Sequence, residues 1–293
     1  MKSNHGFTQF LEQKNIIPKT ISRHEREVLK YENWLTATYE KTPENATKKD
    51  LLHYLKHIKE HRKLSNATQN QVLQVLKNYY SYLQQQGINN ITAFIKIRGI
   101  KQRHLRTIFT LDELDLLIDA YYYYAQEYAP TPQEMRFCSD YKNLLQGRYI
   151  ALTLMAYQAV QLHEIFSLTG KDFDLRKATV TIHQSRTGAE RTLVLEAVQI
   201  SALISYFGNE QNTTLIPNIN HFERLSKTLK ALHPKYQDFI QLRASKITHW
   251  IKQYGLRKAQ YYAGPRTITT TEKYIAGDFE TLQNDMDNFH PLR

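Results

Sequence analysis

The chain of 293 residues has almost no cysteine: Cys138 is the only one. A single thiol cannot form an internal disulfide or a multi-cysteine zinc site, so neither can staple this fold. Long apolar runs are also missing. None approaches the roughly 18 residues needed to cross a bilayer, and the opening Met1-Lys2-Ser3-Asn4-His5-Gly6 lacks the apolar core of a secretion signal. These absences point to a cytoplasmic protein with no membrane partner. With 41% hydrophobic and 23% charged residues, the composition is that of an ordinary globular chain, long enough for two domains.

Acidic residues are scarce in one part of the chain only. Residues 1–106 hold 19 Lys+Arg against 8 Asp+Glu, and residues 107–293 hold 20 of each. The whole net charge of +11 therefore lies in the first third. A segregated basic domain is suited to a polyanion, and phosphate is the usual one. A solvated lysine-rich surface would give the same count.

The first 97 residues read as a small helical domain. Phe7, Phe10 and Leu11 form a short apolar patch. Ser22-x-x-Glu25 has the form of a capping box and precedes Val28, Leu29, Tyr31, Trp34 and Leu35 at helical spacing. Thr47 precedes a second helix, Ser65 or Asn66 caps a third that stops near Gly87, and Ile91–Ile97 is read as a fourth. The stretch 98–107 has four positive charges and no acid, as expected of a basic linker. Residues 108–293 read as a second, helix-rich domain. Thr110-x-x-Glu113 opens a helix that runs into Tyr121–Tyr124, taken as packing and surface tyrosines. Residues 149–168 are mostly apolar. Ala178–His183 and Arg191–Leu195 pair as a hairpin around Ser185–Glu190, and four further helical segments (Glu196–Phe207, Asn218–Leu232, Ser245–Tyr254 and 256–263) follow before Gly264.

Gly264 to Tyr274 reads G-P-R-T-I-T-T-T-E-K-Y, one helix after Gln241-Leu242-Arg243. This layout resembles the tyrosine recombinase (phage integrase) family. That family has an H-x-L-R helix, a Gly-His pair, and a Thr-Thr-x-x-Tyr segment that presents a nucleophile. On that resemblance Arg243 matches the second family arginine and Tyr274 the nucleophile. Ala159-Val160-Gln161-Leu162-His163-Glu164 fills the T-G-x-R-x-x-E motif, with Gln161 in place of the first arginine. Arg186 occupies the lysine slot of the hairpin's G-K-G-x-x-x-R turn. Ile240 and Pro265 stand where the family has histidines. The implied fold is mainly α. It comprises a four-helix SAM-like core-binding domain (1–97), a linker (98–107) and a helix-rich catalytic domain with a small hairpin or sheet (108–293).

The resemblance also implies the chemistry. A tyrosine oxygen attacks the scissile phosphate to give a 3′-phosphotyrosyl link, arginines stabilise the phosphate's charge, and no metal or cofactor takes part. Candidate catalytic residues are Tyr274, Arg243, Arg186 and Gln161. Candidate phosphate contacts are Lys48, Lys49, Lys56, Lys59, Arg62, Lys63 and Lys77, with Arg98, Lys101, Arg103 and Arg106 of the linker. With four of six family positions changed, the expectation is a protein of a mobile element or a chromosomal derivative. It would bind duplex DNA in the cytoplasm, associated with the nucleoid, and act in recombination or integration with weakened or lost strand cleavage. An active recombinase is the alternative, and a helical protein–protein adaptor a third reading. Phe279, Leu282 and Met286 are spaced for one face of a tail helix. That helix would either dock on a neighbouring protomer or active partner, or fold back on its own domain.

Overall fold

The computed structural model describes residues 5–98, 107–132, 134, 140–185, 188–208, 213–216 and 220–275. The chain divides into two units, Met1–Gln102 and Arg103–Arg293, each with its own apolar core.

The first unit is built from α1 (His5–Gln13), α2 (Pro18–Tyr39), α3 (Lys48–Glu60) and α4 (Asn66–Gln85). Phe7, Phe10 and Leu11 are more than an isolated patch: spaced three and one apart, they form the buried face of α1. The Phe7 ring meets Tyr79 edge-on at 5.2 Å. The capping-box reading at Ser22 is corrected. Pro18, whose fixed φ suits a first helical turn, starts α2 one turn earlier, and the Ser22 hydroxyl donates to the Pro18 carbonyl inside the helix. The fourth helix expected at residues 91–97 is also corrected. Residues 91–94 form turns and 95–98 have no regular structure, so α1 brings the helix count to four. The Thr47 and Ser65 caps form as read, and Gly87 takes the left-handed conformation (φ 85°) beyond α4. Tyr31 and Tyr80 are fully buried and share a hydrogen bond of 2.9 Å between α2 and α4. Burial pushes the Tyr31 phenol up to about 12.

The second unit is organised around α6 (Tyr141–Tyr157), which is buried almost continuously from Leu145 to Ala156. It packs against α5 (Leu111–Glu127), α8 (Ala197–Phe207) and α10 (Phe239–Ala263). The Thr110–Glu113 capping box opens α5 in both directions. After the short α7 (Leu162–Ile165) comes an antiparallel sheet in the order β1 (Phe173–Asp174), β2 (Thr179–Ile182), β3 (Arg191–Val194). The register pairs Ile182 with Arg191, and β1 adds a third strand to the expected hairpin. Next come α9 (Asn220–Leu232) and α10, which breaks at Gly255 (φ 78°, ψ 166°), and then α11 (Ile268–Ile275). No helix among the described residues is long and apolar enough to cross a membrane.

Asp50 is the polar keystone of the first unit. Its carboxylate accepts from the Thr47 backbone N–H at 2.8 Å and the Thr47 hydroxyl at 2.9 Å, and it pairs with Lys41 at 2.8 Å. Burial alone would raise its pKa, but Lys41 and the Thr47 donors outweigh that and hold it below the usual carboxylate value. A depressed folded-state pKa stabilises above the ordinary carboxylate range and loses that effect as pH falls through the folded value. Asp50→Asn should therefore destabilise this unit by about 1 kcal/mol near neutral pH. Its unfolding followed by Trp34 fluorescence in a Trp250→Phe background should come at lower urea, with the gap closing below about pH 4. A gap unchanged at acid pH would contradict the assignment.

Candidate functional site

In the first unit, Lys48, Leu52, Lys56 and Lys59 are exposed at intervals of four, four and three along α3, which places them on one helix face. Leu51, Tyr54, Leu55 and Ile58 are buried on the opposite side. Lys49 and Lys63 are also exposed. The remaining basic candidates here differ from this face. Arg62 is held by Glu27 at 3.2 Å, which neutralises it, and Lys77 is half-buried on α4. Arg98 is exposed, whereas Lys101, Arg103 and Arg106 lie outside the described residues. Beside the lysine face, His53, His57 and His61 follow at four-residue spacing. The His57 and His61 rings are 4.5 Å apart, and the Tyr39 hydroxyl bonds His53. Burial, then the neighbouring His61, His53 and Arg62, lower the His57 pKa.

In the second unit, Arg243 sits one turn into α10, whose first turn Asp238 caps through the Gln241 N–H at 2.8 Å. Its guanidinium is buried. One Nη donates to the Ala159 carbonyl and the other to the Ala263 carbonyl at 2.7 Å. Ala159 takes a left-handed φ of 49°, a conformation that costs a side-chain-bearing residue energy. Burial lowers the Arg243 pKa. Tyr274 and Glu164 work against that, and the charge of Arg191 adds to it. Tyr274, on α11, interacts with this guanidinium and packs on the cluster formed by Ala159, Ile247, Trp250, Ala259 and Ala263.

Gln161 caps α7, and its backbone N–H donates to Glu164 Oε2 at 2.7 Å. Glu164 in turn receives both Nη atoms of Arg191, at 2.9 and 2.8 Å, with both residues buried. Burial would raise the Glu164 pKa, yet Arg191, the Gln161 N–H and Arg243 together hold it below the usual value. Arg186 lies outside the described residues; the described residues on either side of it are bonded to the segment that precedes α11. Arg266 donates to the Ser185 carbonyl at 3.0 Å, Gly188 bridges to Pro265, and the Ala189 N–H donates to the Gly264 carbonyl at 2.8 Å.

Arg243 and Tyr274 therefore act on one another beside the same apolar cluster, the charge of Glu164 couples the Gln161 turn to Arg243, and the residues flanking Arg186 are tied to the segment leading into α11. Other side chains of this unit have different surroundings. His163 is exposed. His249 is bonded to the Phe109 carbonyl at 2.8 Å. Arg148 is buried in α6, and its charge acts on Tyr121 and Tyr124. Ile240 is 56% exposed. No group of three or more metal-ligating side chains occurs among the described residues.

The sequence reading missed Arg191, although it ends the same hairpin pattern five residues after the Arg186 slot. It also missed a local charge excess. From Arg243 to Ile275 the chain has Arg243, Lys246, Lys252, Arg257, Lys258, Arg266 and Lys273 against Glu272 alone. The even count over the whole second half conceals that stretch.

Comparison with known proteins bears on this geometry. Residues 5–90 match the phage integrase N-terminal SAM-like domain. The chain is 22% identical to TnP I resolvase of Bacillus thuringiensis over 96% of its own length and 97% of the relative's. It is 26% identical to tyrosine recombinase XerC of Alcanivorax borkumensis over 78% of this chain and 74% of that one. Among solved structures, XerH recombinase bound to a palindromic difH substrate shares the fold at TM-score 0.66 and 17% identity, covering 95% of this chain and 82% of that one. The Tn1549 transposon integrase in complex with circular intermediate DNA does so at TM-score 0.63 and 16% identity, covering 97% and 98%. With the SAM-like match, the full-length relatives and the Arg243–Tyr274 layout together, the chain is similar to the tyrosine recombinases (phage integrases) and shares their fold.

Arg243→Met would leave the Ala159 and Ala263 carbonyls buried without their donor. The expected loss is about 2–4 kcal/mol, read as an earlier unfolding midpoint of Trp250 fluorescence in a Trp34→Phe background. Wild-type stability in that variant would mean the two carbonyl bonds contribute little.

Proposed function

We propose that this chain is a DNA-binding protein of the tyrosine recombinase type, acting in site-specific recombination or integration with strand cleavage weakened or lost. The observation that carries this reading is the interaction of the buried Arg243 guanidinium with Tyr274, in a chain whose sequence has Gln161, Arg186, Ile240 and Pro265 at the other family positions. Gln161 can donate a hydrogen bond but supplies no charge and no guanidinium fork. Losing one such donor costs about 10²–10³ in rate. Arg186 attracts phosphate but, with a pKa above about 12, is a poor proton donor to a departing oxygen.

In this reading residues 1–97 form the core-binding domain, 98–107 the linker and 108–293 the catalytic domain. The lysine face of α3, with the linker's Arg98, Lys101, Arg103 and Arg106, contacts phosphates and sets register without reading bases. Duplex DNA is the partner, and the protein works in the cytoplasm on the nucleoid. A second copy or an active recombinase is joined through residues 276–293. The DNA complexes of XerH and the Tn1549 integrase support the choice of DNA.

An active recombinase is the second reading, favoured by the contact of Tyr274 with Arg243. In that chemistry the Tyr274 oxygen bonds to phosphorus, the bond from phosphorus to the 5′ oxygen breaks, and that oxygen takes a proton. A nicked suicide duplex separates the two readings. The preferred one predicts no covalent adduct, or one formed at least about 100-fold more slowly than by a relative with the full set. A rapid adduct that Tyr274→Phe abolishes would establish the second.

DNA binding itself is read from salt dependence. Each phosphate contact adds about 0.9 to the negative slope of log affinity against log salt. Replacing Lys48, Lys56 and Lys59 by alanine should make that slope shallower by about 2.7. An unchanged slope would remove α3 from the interface.

A further inference from the structure

Gly264 has φ 81° and caps the last turn of α10, its N–H donating to the Gln260 carbonyl at 2.9 Å. A Cβ at this position would lie 2.5 Å from Arg191 Nη1, 2.8 Å from its Cζ and 3.1 Å from its Cδ. A flexible side chain would swing aside, but this one cannot. Arg191 is 1% exposed and both of its Nη atoms are fixed on Glu164. The backbone of Gly264 thus rests directly on a pinned guanidinium. Ten residues later comes Tyr274, and the intervening turn is bonded to the hairpin at Ser185, Gly188 and Ala189.

We infer that Arg191 is a positioning residue for Tyr274. Held by Glu164, it forms the seat for Gly264 and so fixes the height at which α11 presents its tyrosine to Arg243. This deepens the proposed active-site reading and rests on it for its functional meaning. Arg191 itself touches no substrate, because both its Nη atoms serve Glu164 and its side chain is enclosed. The arrangement explains why glycine stands at 264 on two grounds: the left-handed backbone and the absence of room for a Cβ. It also makes the hairpin turn and the approach to α11 one mechanical piece, so that a shift of β3 is delivered to Tyr274.

The test uses the full chain labelled with 3-fluorotyrosine, with the Tyr274 resonance assigned by its loss in Tyr274→Phe. Removing Arg191 alone would strand a buried carboxylate, so the seat is removed as the pair Arg191→Met with Glu164→Gln, which keeps the volume and drops both charges. In this double variant the Tyr274 resonance should move toward the position of free fluorotyrosine, while those of Tyr31, Tyr54 and Tyr121 stay in place. Arg191→Lys should not restore it, since a single ammonium has no fork to span Glu164 and no plane to support Gly264. Gly264→Ala should move the Tyr274 resonance in the wild-type background. In the double variant it should move it less, because backbone strain is common to both backgrounds and the contact with Arg191 is not. An unmoved Tyr274 resonance in the double variant, rescue by lysine, equal effects of Gly264→Ala in both backgrounds, or a general shift of the tyrosines would each overturn the assignment. The readout involves neither DNA nor cleavage, so a failure of DNA binding leaves it standing and its own failure leaves DNA binding untouched.

Discussion

Of the three arginines buried among the described residues of the second unit, Arg191 and Arg243 share one carboxylate, Glu164, which acts on both. That imbalance is the constraint on which the rest depends. Burying a charge is costly unless it is paired and hydrogen-bonded. Arg191 meets the condition with a two-pronged pair to Glu164. Among the described residues Arg243 is hydrogen-bonded by two neutral carbonyls, with Tyr274 and the charge of Glu164 nearby. These three side chains together carry an excess of one positive charge. An anion that docks against Tyr274 would balance it. The left-handed backbone at Ala159 and Gly264 lies beside these groups: the Ala159 carbonyl accepts from Arg243, and Gly264 rests on Arg191.

Much of this was legible in the sequence, for identifiable reasons. The Thr47, Ser65 and Thr110 caps are local chemistry that nothing in the tertiary structure overrides. Tyr274 and Arg243 were singled out because their types, order and spacing follow a known pattern. The start of α2 was misplaced because Ser22 and Glu25 have the right spacing for a cap, while Pro18 determines the first turn and leaves Ser22 to bond back within the helix. Residues 91–97 have apolar residues at helical intervals but form turns instead. The Asn90 side chain takes the Thr92 N–H and hydroxyl at 3.1 and 2.6 Å, a local bond that competes with helix formation.

What the sequence hid depends on contacts between distant segments. The Glu164–Arg191 pair joins positions 27 residues apart, and nothing in their local patterns announces the partnership. Gly264 reads as an ordinary helix stop until the guanidinium beneath it is seen. The basic stretch from Arg243 to Lys273 disappeared into an evenly charged half. Its recovery changes the picture of charge in the molecule. Besides the lysine face of the first unit, the second unit has a positive segment around Arg243 and Tyr274, so each unit brings its own attraction for a polyanion.

The most direct measurement is a structure of the full chain on duplex DNA, read at a single place. A backbone phosphate should lie in contact with both the Arg243 guanidinium and the Tyr274 hydroxyl, with the lysine face of α3 against the same duplex. DNA held by the first unit alone, with no phosphate at Arg243 and Tyr274, would contradict the reading of these two side chains as a phosphodiester site.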